Sequence, residues 1–198
     1  MNIPLFLTLT YNDENLKWGL NPTLVKRDIT LFLKRLRKSL NGYKINYYLV
    51  GEYGTKFKRP HYHMILYGLS NKAISRFVVS AWNMGHVHIG TLSERSIQYV
   101  CKYHVLRGMN PEGTEKSFMV CSKGIGLDYV EKMKDYHTEY PTSRYYYQYF
   151  QYKMPLPRYY KEKIYNEETR DRIKDYFKAK CEEKIVKDQV LTSEDFRQ

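Results

Sequence analysis

The stretch that decides the fold is Arg59-Pro60-His61-Tyr62-His63-Met64-Ile65-Leu66-Tyr67. It reads as a β-strand. Side chains alternate across a strand, so His61 and His63 share one face while Tyr62, Met64 and Leu66 share the other. Two neighbouring imidazoles on one sheet face are a ready pair of ligands for a divalent cation. A lone His-x-His in a strand is more often solvated or at a core edge. The reading therefore depends on what surrounds it.

Upstream, residues 44–52 form a second strand ending in Gly51-Glu52-Tyr53-Gly54. The loop that follows holds Lys56, Lys58 and Arg59. An antiparallel hairpin with Glu52 opposite His61 places Glu52, His61 and His63 on a common face. Downstream, Tyr99-Val100-Cys101-Lys102-Tyr103 begins 38 residues after His61. Tyr99, Lys102, Tyr103 and Leu106 are spaced to share one helix face. Ile97, Cys101 and His104 fall on another, suited to packing on the sheet. Tyr99 and Tyr103 also fit a plain amphipathic core helix.

The remaining elements surround this centre. Residues 3–11 alternate as a first strand, with Leu5, Leu7, Leu9 and Tyr11 on one side and Phe6, Thr8 and Thr10 on the other. Asn21-Pro22 signals a helix start, and Val25, Ile29, Phe32, Leu33, Leu36 and Leu40 give its buried stripe. Lys26, Arg27, Lys34, Arg35, Arg37 and Lys38 form its outer face, and Asn41-Gly42 its stop. Ser70-Asn71 caps a second helix, buried through Ile74, Phe77, Val78, Ala81 and Trp82. A fourth strand contains His86-Val87-His88, a second His-x-His with no carboxylate at hairpin distance. Thr91-Leu92-Ser93-Glu94 reads as the capping box of the tyrosine helix. Phe118 to Cys121 is a fifth strand, and Gly124-Ile125-Gly126 opens a short helix through Met133. Residues 144–153 are an aromatic platform for bases or a twisted packing strand. Asn166 caps a charged helix from Glu167 to about Val190, with a weak stripe of Ile173, Tyr176, Phe177 and Ile185. The pattern predicts an α+β fold: a central antiparallel sheet of about five strands flanked by helices.

Bulk composition limits the partner. The 198 residues carry a formal net charge of +12 and 21 tyrosines. Such a charge favours an anionic partner, nucleic acid foremost. Three dispersed cysteines, Cys101, Cys121 and Cys181, argue against a disulfide framework or a four-cysteine zinc site. No signal peptide and no apolar run near membrane-span length is visible. A reducing cytoplasm is expected. Gly113-Thr114-Glu115-Lys116-Ser117 lacks the glycine before lysine that a phosphate loop needs.

A Glu-His-His site beneath a helix displaying Tyr99 and Lys102 fits one reaction: a tyrosine oxygen attacks a DNA phosphodiester and a 3′ hydroxyl leaves. A phenol with a pKa near 10 needs a nearby cation, and Lys102 can supply it. Glu52 adds a hard oxygen ligand suited to Mg²⁺ or Mn²⁺, although the two imidazoles also admit zinc. Tyr103 lies about 6 Å further along the helix. Two tyrosines let one hold a strand while the other attacks.

These residues resemble the HUH endonucleases, and within them the replication initiators of microviruses, the gokushovirus-like branch especially. Phe6-Leu7-Thr8-Leu9-Thr10-Tyr11 is similar to the first motif of that family. Gly51-Glu52-Tyr53-Gly54 with Arg59-Pro60-His61-Tyr62-His63 resembles the metal motif, and Tyr99 to Tyr103 the two-tyrosine motif. Gly124-Ile125-Gly126 and Pro157-Arg158-Tyr159-Tyr160 resemble later features. The resemblance implies an HUH, ferredoxin/RRM-like domain over 1–160 and a charged helical tail over 161–198. It implies that His61, His63 and Glu52 hold the metal, that Tyr99 attacks first and Tyr103 second, and that Lys102 assists. Lys56, Lys58, Arg59 and Arg107 are expected at the DNA. It further implies origin nicking and strand transfer in a bacterial host, on single-stranded DNA, with unwinding left to a host helicase and no membrane partner. A plasmid or transposon nickase, or a non-catalytic single-strand binding domain, is the competing reading. Tyr62 departs from the aliphatic residue usual at the centre of the histidine motif; facing away from the metal, it is expected to matter little. The origin sequence and oligomeric state are not readable from the chain.

Overall fold

The computed structural model describes residues 4–17, 20–69, 75–105, 110–149 and 151–195; of these, the side chains of 103–105, 149 and 186–195 are not described. The chain divides into two compact units, Met1–Ile125 and Gly126–Gln198.

The first unit is built on a five-stranded antiparallel sheet. Its strands are β1 (Leu5–Thr10), β2 (Asn46–Tyr53), β3 (Pro60–Tyr67), β4 (Val87–Thr91) and β5 (Phe118–Cys121), in the order β4-β1-β3-β2-β5. The α+β class and the sheet expected from the sequence are borne out. Helices α1 (Lys26–Ser39) and α2 (Ser75–Ala81) accompany one face, and α3 (Glu94–Val105) the other.

Alternation along the strands sets both cores. Leu7, Leu9, Tyr62, Met64 and Leu66 are fully buried and pack with Phe32, Leu36, Leu49 and Trp82. On the opposite face Val50 and Ile65 meet Val100 of α3. Gly51 stands across from Tyr62 in the β2–β3 ladder. A Cβ there would lie 3.1 Å from each of Leu24 Cδ2, Tyr62 Cδ1 and Phe118 Cε1. That is tighter than side chains ordinarily approach, so this rung of the hairpin closes best on glycine.

α1 starts later than the sequence reading expects. Asn21-Pro22 does not cap it; the helix begins at Lys26 with Val25 as an N-cap that makes no side-chain bond. The cap comes from the sheet instead. The Val25 N–H donates to the Tyr62 hydroxyl at 2.8 Å. Tyr11 donates to Asp28 Oδ2 at 2.8 Å, which leaves Tyr62 as the donor in its 2.8 Å bond to Tyr11. Tyr62 thus turns away from the histidine face as expected, but it is structurally engaged rather than incidental. Arg35 also departs from the expected outer face, its Nε–H donating to the Ala81 carbonyl at the end of α2. The expected stop is present: Asn41 and Gly42 both have positive φ, 44° and 94°.

α3 differs in its packing face and its cap. Val100 is 0% exposed, whereas Ile97 and Cys101, expected against the sheet, are exposed. The box at its start joins Ser93 to Ser96, with the Ser96 N–H donating to Ser93 Oγ and the Ser93 N–H to Ser96 Oγ. Thr91 belongs to β4. The expected Ser70-Asn71 cap and Ile74 lie outside the described residues, as does Leu106.

The second unit contains α4 (Leu127–Glu139), a hairpin of β6 (Tyr146–Tyr149) and β7 (Tyr152–Pro155), α5 (Arg158–Ile164) and α6 (Glu167–Asp195). α4 runs beyond Met133, where the sequence reading ends it. Val130, Leu156, Ile164, Tyr165 and Ile173 form the core of this unit, with Tyr145, Tyr147 and Phe177 packed against it. Residues 126–160 therefore share their core with the C-terminal helices. Asn166 caps α6 by accepting from the Thr169 N–H at 2.9 Å. Along α6, Ile173 is buried and Phe177 packs, while Tyr176 and Ile185 are exposed.

Candidate metal centre

The β2–β3 ladder pairs Glu52 directly with His61, so Glu52, His61 and His63 occupy one face of the sheet. One potential ligand atom from each lies within 4.8 Å of the others. Among the described residues this is the group of His, Cys, Asp and Glu side chains close enough to hold an ion. Glu52 and His63 are buried, and His61 is partly so.

The protonation chemistry of the group suits a cation. His61 Nδ1 is 3.1 Å from the Arg59 carbonyl, which only a donor satisfies. In a neutral imidazole the other nitrogen then carries a lone pair. That nitrogen, Nε2, faces Glu52 Oε1 at 2.8 Å. His63 Nε2 lies 3.1 Å from the same oxygen without hydrogen-bond geometry. Both His63 Nε2 and Glu52 Oε2 are buried without a hydrogen-bond partner. Acceptors that converge in this way repel unless a proton or a cation stands among them. Two nitrogens and a carboxylate are ordinary ligands of divalent metals.

Neighbouring side chains fix the imidazoles. Thr8 Oγ1 sits 3.0 Å from His63 Nδ1, and the Phe6 ring stacks on His63 at 5.6 Å between centroids and 14° between planes. The two histidine rings stand edge to face, 4.9 Å apart. Burial raises the Glu52 carboxyl pKa, but the contacts and positive charge of His61 and His63 outweigh it and leave the net shift downward.

Tyr99 reaches the same carboxylate from α3. Its hydroxyl donates to Glu52 Oε1 at 3.1 Å, and its ring meets His63 edge to face at 5.0 Å. The side chain remains 39% exposed, so the phenol borders both the buried group and solvent. Lys102 is exposed on the next turn. Tyr103 follows Tyr99 by four positions on α3, its side chain outside what is described; Arg107 lies outside the described residues.

The other expected residues are more dispersed. Lys56 and Lys58 are exposed in the hairpin loop. Arg59 is bound to Asp13 at 2.7 Å and donates to the Tyr11 carbonyl. His86 and His88 are exposed on and beside β4. His88 pairs with Thr8, one strand beyond β3, and is not part of the ligand group. Sequence reasoning assigned Thr8 and Phe6 to the correct face but gave them no function. Their position opposite His63 and Ile65 on β3 was the signal, and it needed the β1–β3 register to be seen.

Comparison with known proteins places residues 4–106 in a match to the family model of replication-associated protein ORF2. The chain is 29% identical over 184 residues to replication-associated protein VP4 of Bdellovibrio phage phiMH2K, covering 80% of this chain and 56% of that protein. It is 35% identical over 159 residues to replication-associated protein ORF2 of Spiroplasma virus 4, covering 66% and 48%. With replication-associated protein ORF4 of Chlamydia phage 1 the identity is 29% over 152 residues, covering 62% and 37%. The matches thus span about half of these relatives or less.

Proposed function

The chain belongs to the family of replication-associated protein ORF2, and from that premise we propose that it is an HUH-type tyrosine transesterase that starts and ends rolling-circle replication. The single observation that supports this most is the Tyr99 hydroxyl on Glu52, inside the group formed with His61 and His63.

In this reading Glu52, His61 and His63 hold Mg²⁺ or Mn²⁺. Bound there, the ion would polarise a non-bridging phosphate oxygen and stabilise charge in the transition state. Tyr99 supplies the nucleophile. Its oxygen forms a bond to phosphorus, the bond from phosphorus to the 3′ oxygen breaks, and the 3′ oxygen takes up a proton as it leaves. Glu52 Oε1, already accepting the phenol O–H, is placed to receive the proton that Tyr99 gives up. Lys102 offers positive charge one turn along, toward phenolate or phosphate. The phosphotyrosine diester conserves the energy of the cut link, so the same residues run the step backwards and rejoin strands. Tyr103 serves as the second acceptor when a unit-length circle is released. Lys56, Lys58, Arg59 and Arg107 neutralise phosphates of the strand. The reaction takes place in the cytoplasm of a bacterial host, with unwinding by a host helicase. Among the described residues no helix is long and apolar enough to cross a membrane.

The test is incubation with single-stranded origin DNA labelled at its 3′ end, with Mn²⁺ or with EDTA, followed by a denaturing gel. A metal-dependent covalent protein–DNA band is expected. A salt-sensitive mobility shift on a native gel with no such band would instead identify a non-catalytic binding domain, which the net charge of +12 also suits.

A further inference from the structure

The tip of the β2–β3 hairpin carries an aromatic ring that neither core of the first unit contains. Phe57 is 72% exposed. Of the other well-exposed rings of this unit, Tyr43 lies before β2, at the end remote from Glu52, and Tyr99 is engaged at the metal centre. Phe57 is four residues from His61, a span of at most about 14 Å of extended chain.

The tip is held in place by its own backbone. The Gly54 N–H donates to the Arg59 carbonyl and the Lys58 N–H to the Gly54 carbonyl, each at 3.0 Å. Lys58 adopts φ +51°, a left-handed conformation that non-glycine residues seldom take. The Lys56 ammonium lies 5.1 Å from the centroid of the Phe57 ring. An apolar ring set between two exposed lysines on a rigid turn matches the chemistry of single-stranded nucleic acid, whose bases stack while its phosphates seek cations. Duplex DNA, with its bases already stacked, offers no partner for the ring.

We propose that Phe57 is a stacking platform for one unpaired base near the scissile phosphate, with Lys56 and Lys58 on the adjoining phosphates. The inference rests on the reading that the protein binds single-stranded DNA. Stacking gives the hairpin a sequence-tolerant grip that orients the strand toward Glu52, His61 and His63.

Two measurements test it together. The affinity of wild type and Phe57→Ala for a fluorescent single-stranded oligonucleotide is followed across salt concentrations, with a duplex as control. Phe57→Ala is expected to bind the single strand about 5- to 100-fold more weakly with an unchanged salt slope, and the duplex as wild type does. Lys56→Ala or Lys58→Ala should instead flatten the slope by about one. Phe57→Trp should retain affinity and lose emission when the oligonucleotide is added, relative to the background of the two native tryptophans. Unchanged single-strand affinity in Phe57→Ala, an equal loss on duplex, or unaltered Phe57→Trp emission at saturation each overturns the proposal while leaving the transesterase reading standing. A wild-type protein that binds no single-stranded DNA overturns both.

Discussion

The Thr8 hydroxyl on β1 stands 3.0 Å from His63 Nδ1 on β3, directly across the ladder. An imidazole bonded at one nitrogen is fixed in both tautomer and rotation, and a ligand so fixed binds its ion more tightly. Thr8→Val removes that bond and keeps the branched shape. The variant is expected to bind Mn²⁺ about 10- to 100-fold more weakly by titration calorimetry, with its sheet intact by circular dichroism. Unchanged affinity would show that Phe6 stacking alone orients His63.

His63→Ala removes a ligand at the centre of the group. Metal-dependent cleavage should disappear while the salt-dependent affinity for DNA stays near wild type, because the basic loops are untouched. The pair of assays separates loss of chemistry from loss of binding. Retained cleavage would transfer the ligand role to His86 and His88.

Tyr99→Phe keeps the ring against His63 and deletes the hydroxyl that reaches Glu52. The main covalent adduct should vanish, leaving at most a minor one through Tyr103. Peptide mapping of the wild-type adduct provides the check, and a label found on Tyr103 alone would reverse the order of the two tyrosines.

Tyr62 ties the histidine strand to α1. Tyr62→Phe leaves the Val25 N–H and the Tyr11 hydroxyl short of a partner, at a cost of about 1–3 kcal/mol in chemical denaturation. The pH dependence has a definite sign. Burial pushes the Tyr62 phenol up to about 12, with Tyr11 raised as well. The unfolded phenol loses its proton near 10, before the folded one does. The stabilisation is therefore complete below pH 10 and is lost as the pH climbs toward 12. Denaturation midpoints between pH 9 and 12 should fall for wild type and fall less steeply for Tyr62→Phe.

The hairpin was legible in the sequence because two local rules determine it. Period-two alternation separates His61 and His63 from Tyr62, and a short loop leaves few ways to pair Glu52 with His61. The start of α1 was not legible, since its cap is a phenol 37 positions away and Asn21 only imitates a local signal. The packing face of α3 was also misread. Apolar spacing favours Ile97 and Cys101, yet the helix is anchored through Val100, which leaves Tyr99 over the carboxylate. A helix that presents polar chemistry at its edge keeps a narrow apolar seam, and periodicity then points with little force. The aromatic run from 144 onward split into a hairpin whose Tyr145 and Tyr147 pack inward, because a core of few aliphatics is completed by rings.

The rung that joins Glu52 to His61 lies inside regular ladder, whereas residues 55–58 lie beyond it. A residue added within 60–63 would exchange the two faces, sending imidazoles beneath α1 and a phenol out toward the ion. A residue added at the tip would disturb neither. Grip and chemistry can therefore mutate independently, and hairpin tips exchanged among relatives offer a route to retargeting the nick while the cutting apparatus stays as it is.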